Sequence, residues 1–367
     1  MAQTESFLVK MQEPTVFTAF IDAGMRDISY QSEWRRELGE PEYEPSKAYQ
    51  AYLAEYAAAM VGSIIDKNAE KPMHQLPTVG ELVGSIARIS DEWQLDNDKL
   101  SQYLYMEGRY RSKYGDYGIV KNTQEREALI RYLFGMFQNA VIAPHKRIDL
   151  LYYEGLYKGT QTVSSTNNPK SGLSYSYNLG ITSYKALTAA WGQASATPIK
   201  DIMNVCDQAG AKGKNVVKIR MSRNTYRKMC LASEVAGKFE MKLNKVNVTP
   251  TVISIDSMNA YLESIMLPVI EVEANKFVTL ADGTTVSLVP DDRVVFQCAE
   301  RVAVLKVSDP LEALDAIPNK TYTTYDGNLV GFWRNDKGRF VDYEMWATPV
   351  FTGKNNYFIM KADEVQG

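Results

Sequence analysis

One stretch constrains this chain more than any other: TQEREALIRYLFGMFQNAVIAPHKRIDLLYYEGLYKG, residues 123–159. Leu129, Tyr132, Leu133, Met136, Phe137, Ala140, Val141, Ile148 and Leu151 recur at helical spacing. Asn122 or Thr123 can cap the start, Glu125 completes a capping box with Asn122, and Gly159 can end the run. Pro144 lies inside, and because the period resumes beyond it we expect a kink rather than a stop. A continuous helix of about 33 residues would be about 50 Å long. A compact sphere of this chain length has a diameter of about 54 Å. Such a helix would cross the whole molecule, which favours a flat or elongated subunit over a round enzyme.

Composition narrows the function classes. The 367 residues are 45% hydrophobic and 23% charged, with 41 Lys+Arg against 44 Asp+Glu. A soluble globular protein fits those figures. No run reaches the ~18 apolar residues of a transmembrane helix, and MAQTESFLVKMQEP lacks the basic and apolar regions of a secretory signal. The net charge of −3 argues against a protein that coats or condenses nucleic acid. Cys206, Cys230 and Cys298 are too scattered for a disulfide framework or zinc site, so a reducing compartment is expected. Tyrosine stands out, with 23 against 12 Phe and 5 Trp. Its apolar body and polar tip suit surfaces that partners cover as well as ordinary core edges.

Organisation follows from pattern. Residues 1–45 carry apolar anchors (Phe17, Phe20, Ile21, Trp34) between polar stretches and end in GEPEYEPS, as in an arm that docks elsewhere. Ser46 can cap a helix to about Asp66. The following ~50 residues alternate briefly (Leu82, Val83, Ile86, Ile89) and are rich in turn formers, which reads as a hairpin-like excursion with a short helix near Asp98–Tyr105. Thr197-Pro198 starts a helix, NVVKIRM is a strand, and Ser222 opens one helix through RNTYRKMCLASEVAGKF. VNVTPTVISID is strand-like and SMNAYLESIM helical. Residues 267–298 read as a hairpin or meander turning at Asp282-Gly283, with later turns at Asp326-Gly327 and Lys337-Gly338.

No motif supports catalysis. GAKGKN (Gly210–Asn215) lacks the spacing and hydroxyl of a phosphate loop and reads as a solvated turn. His74 and His145 have no partner at ligand spacing, so a structural or surface role is expected for each. Asp291-Asp292 reads as a surface turn. Arg35-Arg36 beside Trp34, and Arg109-Tyr110-Arg111 beside Lys113-Tyr114, interleave cations with rings. That pattern suits nucleic acid or subunit contacts, and the near-neutral charge favours the latter.

Taken in order, an arm, ELVGSIARISDEWQLDNDKLSQYL, a long helix ending IDLLYYEGLYKG, TPIKDI, KIRMSRNTYRKM, LPVIEVEANKF and DGTTVSLVPDDRVVF resemble a known family over almost the whole chain. It is that of tailed-bacteriophage major capsid proteins of the Hong Kong 97-type fold, in its phage lambda-like branch. The resemblance implies an α+β fold with an N-terminal arm (1–45), a helix (46–66) and an extended E-loop (67–117). A peripheral domain with spine helix (118–189), an axial domain (190–300) and a return to the peripheral domain (301–367) follow. It implies no enzyme activity and no cofactor or metal. Self-assembly into hexamers and pentamers of an icosahedral head enclosing double-stranded DNA is implied, without sequence-specific binding. The location implied is the virion, assembled in the host bacterial cytoplasm. A portal and decoration proteins are implied as further partners. The sequence lacks an N-terminal coiled-coil scaffold, so a separate scaffolding protein is expected. No Lys–Asn–acid constellation accompanies Lys67, Lys71 or Lys99, so locking should be non-covalent. An encapsulin-like shell or another phage structural protein (tail or adaptor) is the alternative. The expected intersubunit contacts are Phe17, Phe20, Trp34, Arg35, Arg36, Arg88, Trp93, Leu95, Arg109 and Arg111. The arm and excursion are expected to lack a place on their own subunit for their apolar residues.

Overall fold

The computed structural model describes residues 6–28, 32–53, 80–115, 123–168, 174–239, 241–243, 246–248 and 253–366. The chain begins with α1 (Phe7–Lys10), α2 (Pro14–Ile28) and α3 (Glu33–Leu38), then β1 (Glu42–Tyr43), β2 (Ala48–Leu53), β3 (Gly80–Ser85) and β4 (Arg88–Gln94). Helices α4 (Asn97–Tyr114), α5 (Thr123–Phe134) and α6 (Gln138–Lys158) follow, then β5 (Thr160–Val163), β6 (Tyr175–Asn178) and β7 (Ser183–Ala186). Next come α7 (Pro198–Ala211), β8 (Lys218–Ser222), α8 (Arg223–Cys230), α9 (Ser233–Ala236), β9 (Met241–Leu243), β10 (Val246–Val248) and α10 (Ile255–Ser264). Strands β11 (Val269–Glu273), β12 (Phe277–Thr279), β13 (Thr285–Ser287), β14 (Arg293–Gln297) and β15 (Ala303–Ser308) precede α11 (Leu311–Leu314). Then β16 (Lys320–Tyr325), β17 (Asn328–Asn335), β18 (Gly338–Phe351) and β19 (Tyr357–Val365) complete the order.

These elements divide into two compact units. The first takes Met1–Tyr49, Ser85–Asp149 and Leu305–Thr348; the second takes Gln50–Gly84, Leu150–Val304 and Pro349–Gly367.

The first unit is built on a sheet ordered β1-β15-β18-β17-β16, to which β4 adds along β18. Turn chemistry sets its register. Asp326 and Gly327, at φ 51° and 78°, form the tight turn of β16–β17. The Asn335 carboxamide oxygen accepts from the amides of Lys337 (2.9 Å) and Gly338 (3.1 Å) at the next turn. Helix α2 lies along the edge strand β16. There the Thr321 hydroxyl donates to the Gln12 carbonyl (2.9 Å), and the Thr18 and Thr323 hydroxyls pair at 2.8 Å. Close approach of α2 to α5 requires Gly24, where an added Cβ would fall 2.1 Å from the Phe134 ring.

The second unit centres on a sheet ordered β11-β8-β14-β19-β7. Strand β8 runs parallel to β11 and antiparallel to β14, so of the hairpin or meander expected over residues 267–298 only the central hairpin forms. Strand β8 inserts between their two halves, a non-local pairing that no local pattern records. The core joins Ile199, Ile202 and Val205 of α7, Met258 and Leu262 of α10, and Phe296, Phe358 and Met360 of the sheet. Ser222 caps α8 as expected, its hydroxyl accepting from the Thr225 amide (3.1 Å). That helix stops at Cys230, and α9 is separate. A small hairpin, β12–β13, turns at Asp282-Gly283.

Two expected helices are corrected. Residues 48–53 of the expected 46–66 helix form strand β2, paired with β3 in a two-stranded ladder; residues 54–66 lie outside the described residues. Ala, Tyr, Gln and Leu suit either conformation locally, and pairing decides. The long helix is broken at Gly135–Phe137 into α5 and α6. There the bonds tighten, with Met136 N–H to Leu133 (3.0 Å) and Phe137 N–H to Phe134 (2.8 Å). The turn follows a helix-weakening glycine, between two phenylalanines that both pack into the aromatic cluster around α2. The 21 residues of α6 give about 32 Å of uninterrupted helix. Pro144 sits inside α6. Its missing N–H leaves the Ala140 carbonyl without the usual helical donor, and the buried Asn328 side chain supplies one at 2.9 Å.

Candidate assembly surfaces

The arm is a fixed part of the first unit, which corrects the expectation for Phe17, Phe20 and Trp34. Phe17 and Trp34 are 0% exposed and Phe20 is 3% exposed, so they offer a neighbour no surface. Phe20 meets Phe7, Phe134 and Phe137 at centroid separations of 5.9, 5.8 and 5.3 Å, and Phe17 meets Phe137 and Phe332 at 6.1 and 6.0 Å. Edge-on and tilted rings at these distances suit the aromatic quadrupole. The amphipathic arm helices complete their own subunit's core because β16 and α5 leave an apolar face for α2.

Trp34 is held on α6. Its backbone N–H donates to Asp149 Oδ1 (2.8 Å), its indole N–H donates to His145 Nδ1 (3.3 Å), and the two rings stack at 5.9 Å. Burial, and secondarily the Arg35 charge, lowers the His145 pKa to about 4. Burial raises Asp149 to about 6, opposed by the Trp34 amide and Lys146. His145 is thus the structural histidine expected, while His74 lies outside the described residues. At the start of α1, buried Glu107 accepts from the Ser6 hydroxyl and the Phe7 amide, both at 2.9 Å, and pairs with Arg111 at 2.7 Å.

The remaining expected contacts fall into three settings. Arg35 lies over the Trp34 ring at 4.8 Å and pairs with Asp326, while Arg36 pairs with Glu37 (2.7 Å) and Glu33 (3.3 Å). Arg88, half-exposed, pairs with Glu344 at 2.8 Å. Trp93 is half-buried and stacks on Tyr343 at 5.7 Å, where the Tyr343 hydroxyl donates to Asp91 Oδ2 (2.6 Å). Leu95 is buried, so it is corrected together with the arm residues. Strand β4 places Ile89 and Trp93 on the sheet through its ladder with β18. Arg109 is exposed on α4.

Sequence reasoning missed the apolar side chains that do face solvent. In the first unit these include Leu104 and Tyr105 on α4, and Leu311, Leu314 and Ile317 between β15 and β16. In the second unit Met266 is 94% exposed and Phe277 is 56% exposed. Met266 occupies the left-handed position of a helix stop, φ 58°, with Leu267 N–H bonding the Leu262 carbonyl (2.9 Å). Glycine is the usual residue there. In sequence only PLEALDAIP, an apolar run between prolines, hinted at any of these.

Buried charge in the second unit is structural. Arg220 and Glu273, on the parallel strands β8 and β11, pair through Nε at 2.6 Å. Lys276 reaches Glu273 (2.9 Å) and the Tyr153 hydroxyl (2.6 Å), so each carboxylate oxygen has a donor. Burial pushes the Cys206 and Cys298 thiols up to about 11, away from the reactive range. Among the described residues no group of three or more His, Cys, Asp or Glu is placed to hold a metal ion. No helix among them is long and apolar enough to cross a membrane.

No protein-family profile matches the chain, and no curated protein resembles it in sequence. Solved structures do resemble it in fold. A chain described as the capsid protein of a prophage of E. coli CFT073 superposes with TM-score 0.55 at 13% identity, covering 95% of this chain and 98% of that one. The cyanophage A-1(L) capsid matches more loosely, with TM-score 0.45, 11% identity and coverage of 92% and 96%. The capsid of Myoviridae phage XM1 gives TM-score 0.42, 12% identity and coverage of 94% and 91%. At 13% identity the likeness to the prophage chain is one of fold, and this chain shares that capsid fold.

Proposed function

We propose that this chain is the major capsid protein of a tailed phage or prophage, assembling as hexamers and pentamers into an icosahedral head around double-stranded DNA. The observation that carries the reading is the likeness to the prophage capsid chain, which spans 95% of this chain and 98% of the other. Residues 67–117 would serve as the E-loop, with β4 as its fixed base, and 190–300 as most of the axial domain. A scaffolding protein, a portal and decoration proteins are the partners this reading calls for.

The physics of the surface supports it. A container wall needs no sequence-specific grip on its contents, and a net charge of −3 limits both self-repulsion and tight DNA binding. Interfaces in stable assemblies commonly bury over ~2,000 Å². Exposed apolar residues on otherwise well-packed units supply such contacts.

Electron microscopy of the purified protein, alone and with the scaffolding protein of the same genome, tests the proposal. Closed particles or ring-shaped capsomers are expected. A chain that stays monomeric at high concentration in both conditions overturns it. Closed cages lacking any portal vertex would point to an encapsulin-like shell instead.

A further inference from the structure

We infer that the loop around α11 in one copy seats in a depression between α4 and α5 of a second copy, forming a head-to-tail contact. Taking a second copy as occupant rests on the shell reading above. The loop is exposed, carries three large apolar side chains and is tethered at its base. Leu311, Leu314 and Ile317 are 47, 69 and 49% exposed, and every residue from Ala313 to Asn319 is exposed. Its base is nevertheless held. The Glu312 amide donates to Glu344 Oε2 (3.0 Å), the Ile317 amide donates to the Tyr322 hydroxyl (3.1 Å), and that hydroxyl donates to Glu312 Oε2 (2.8 Å). Lys320 pairs with Glu312 beneath the loop. Three large apolar side chains are therefore presented to water by a tethered loop, and ordering them at an interface costs little further entropy.

The depression is the complementary shape. Ser101, Gln102, Tyr105 and Met106 of α4 and Tyr132 of α5 line a shallow apolar hollow of about 460 Å³, room enough for a leucine or isoleucine side chain. The Tyr132 hydroxyl donates to Gln102 Oε1 (2.8 Å), which fixes the two helices across it. Tyr105 is 68% exposed at its rim. Charge matches as well. Exposed Asp315 stands between Leu314 and Ile317, and exposed Arg109 lies one helical turn beyond Tyr105. A knob and a hollow are two different patches, and the shell reading calls for them to pair one way, from copy to copy, rather than reciprocally across a twofold axis. They make a heterologous contact, the kind that repeats around a ring until it closes. That geometry is what a capsomer of five or six copies requires.

The test uses the full chain. A Leu314→Cys variant is mixed with a Tyr105→Cys variant, and oxidised glutathione drives disulfide formation. The native thiols react slowly, since burial raises the pKa of Cys206, Cys230 and Cys298. The mixture is expected to give a two-chain product at least tenfold more abundant than either variant alone. Leu314→Asp and Tyr105→Asp should each lower the assembled fraction at least tenfold while leaving the melting transition of the monomer unchanged. A chain carrying both cysteines should cross-link into a ladder beyond two chains; no cross-linked product from the mixture, or a double variant that stops at two chains, overturns the head-to-tail contact. If wild-type protein still forms particles in that case, the shell reading stands without it. A cross-linked product from protein that never forms particles supports the contact and overturns the shell reading.

Discussion

At the scale of single residues, buried ionisable groups bind the arm to the first unit. Glu107 serves three donors from Ser6, Phe7 and Arg111. Glu107→Ala should cost about 2–3 kcal/mol, because it strands buried donors as well as removing charge-assisted bonds. Urea denaturation would measure this, and the amides of α1 should lose protection from hydrogen exchange. His145 and Asp149 make opposite contributions to pH dependence. The native pKa of His145, about 4, lies below its ordinary 6.5, so the native state binds fewer protons and this contribution is lost as pH falls from 6.5 towards 4. Asp149, about 6 against 3.8, binds more protons in the native state, so its contribution to stability is lost as pH rises from 3.8 towards 6. The two slopes oppose each other between about pH 4 and 6. Asp149→Asn keeps an acceptor for the Trp34 amide, and its stability relative to wild type should fall on acidification through that range. His145→Gln should do the reverse. Urea midpoints at pH 7 and pH 5 would decide both.

At the scale of elements, tertiary contact overrode local preference twice and repaired it once. Residues 48–53 form a strand because β3 pairs with them, and the run from 123 to 159 breaks at Gly135 beside an aromatic cluster. The repair is at Pro144, where Asn328 donates to the carbonyl that proline leaves without its helical donor. Asn328→Ala should lower stability by about 1–3 kcal/mol, the cost of a buried acceptor left unsatisfied. Asn328→Asp should be no better, since a carboxylate has no donor to offer; thermal melts of the two variants check this. Gly24→Ala places a methyl 2.1 Å from Phe134 and should cost about 1–3 kcal/mol by forcing α2 off α5. Met266→Gly should instead raise monomer stability by up to ~1 kcal/mol, by relieving a left-handed residue on an exposed stop. A loss of assembly alongside that gain would mark Met266 as a contact side chain.

At the scale of the whole molecule, the chain alone made several things legible. Its near-neutral charge, scattered cysteines and two histidines pointed away from catalysis and nucleic-acid coating. The ordered set of motifs pointed to a capsid fold, and capping and turn chemistry placed the starts of α7 and α8 and the turns at Asp282-Gly283 and Asp326-Gly327. These signals are local, set by the conformational limits of Ser, Pro, Asp and Gly, and they survive in any context. What faces a partner was not legible. Phe17, Phe20, Trp34 and Leu95 look like anchors for a neighbour yet lie in their own core, while Leu314 and Tyr105, unremarkable in sequence, are exposed. Hydrophobicity says that a side chain gains from burial, but not whose atoms will bury it. That is decided by long-range pairings: β4 on β18, β8 between β11 and β14, and α2 along β16. The sequence by itself determined where several of the chain's turns fall. Only the tertiary structure decided which apolar faces are used up inside the subunit and which remain to build something larger.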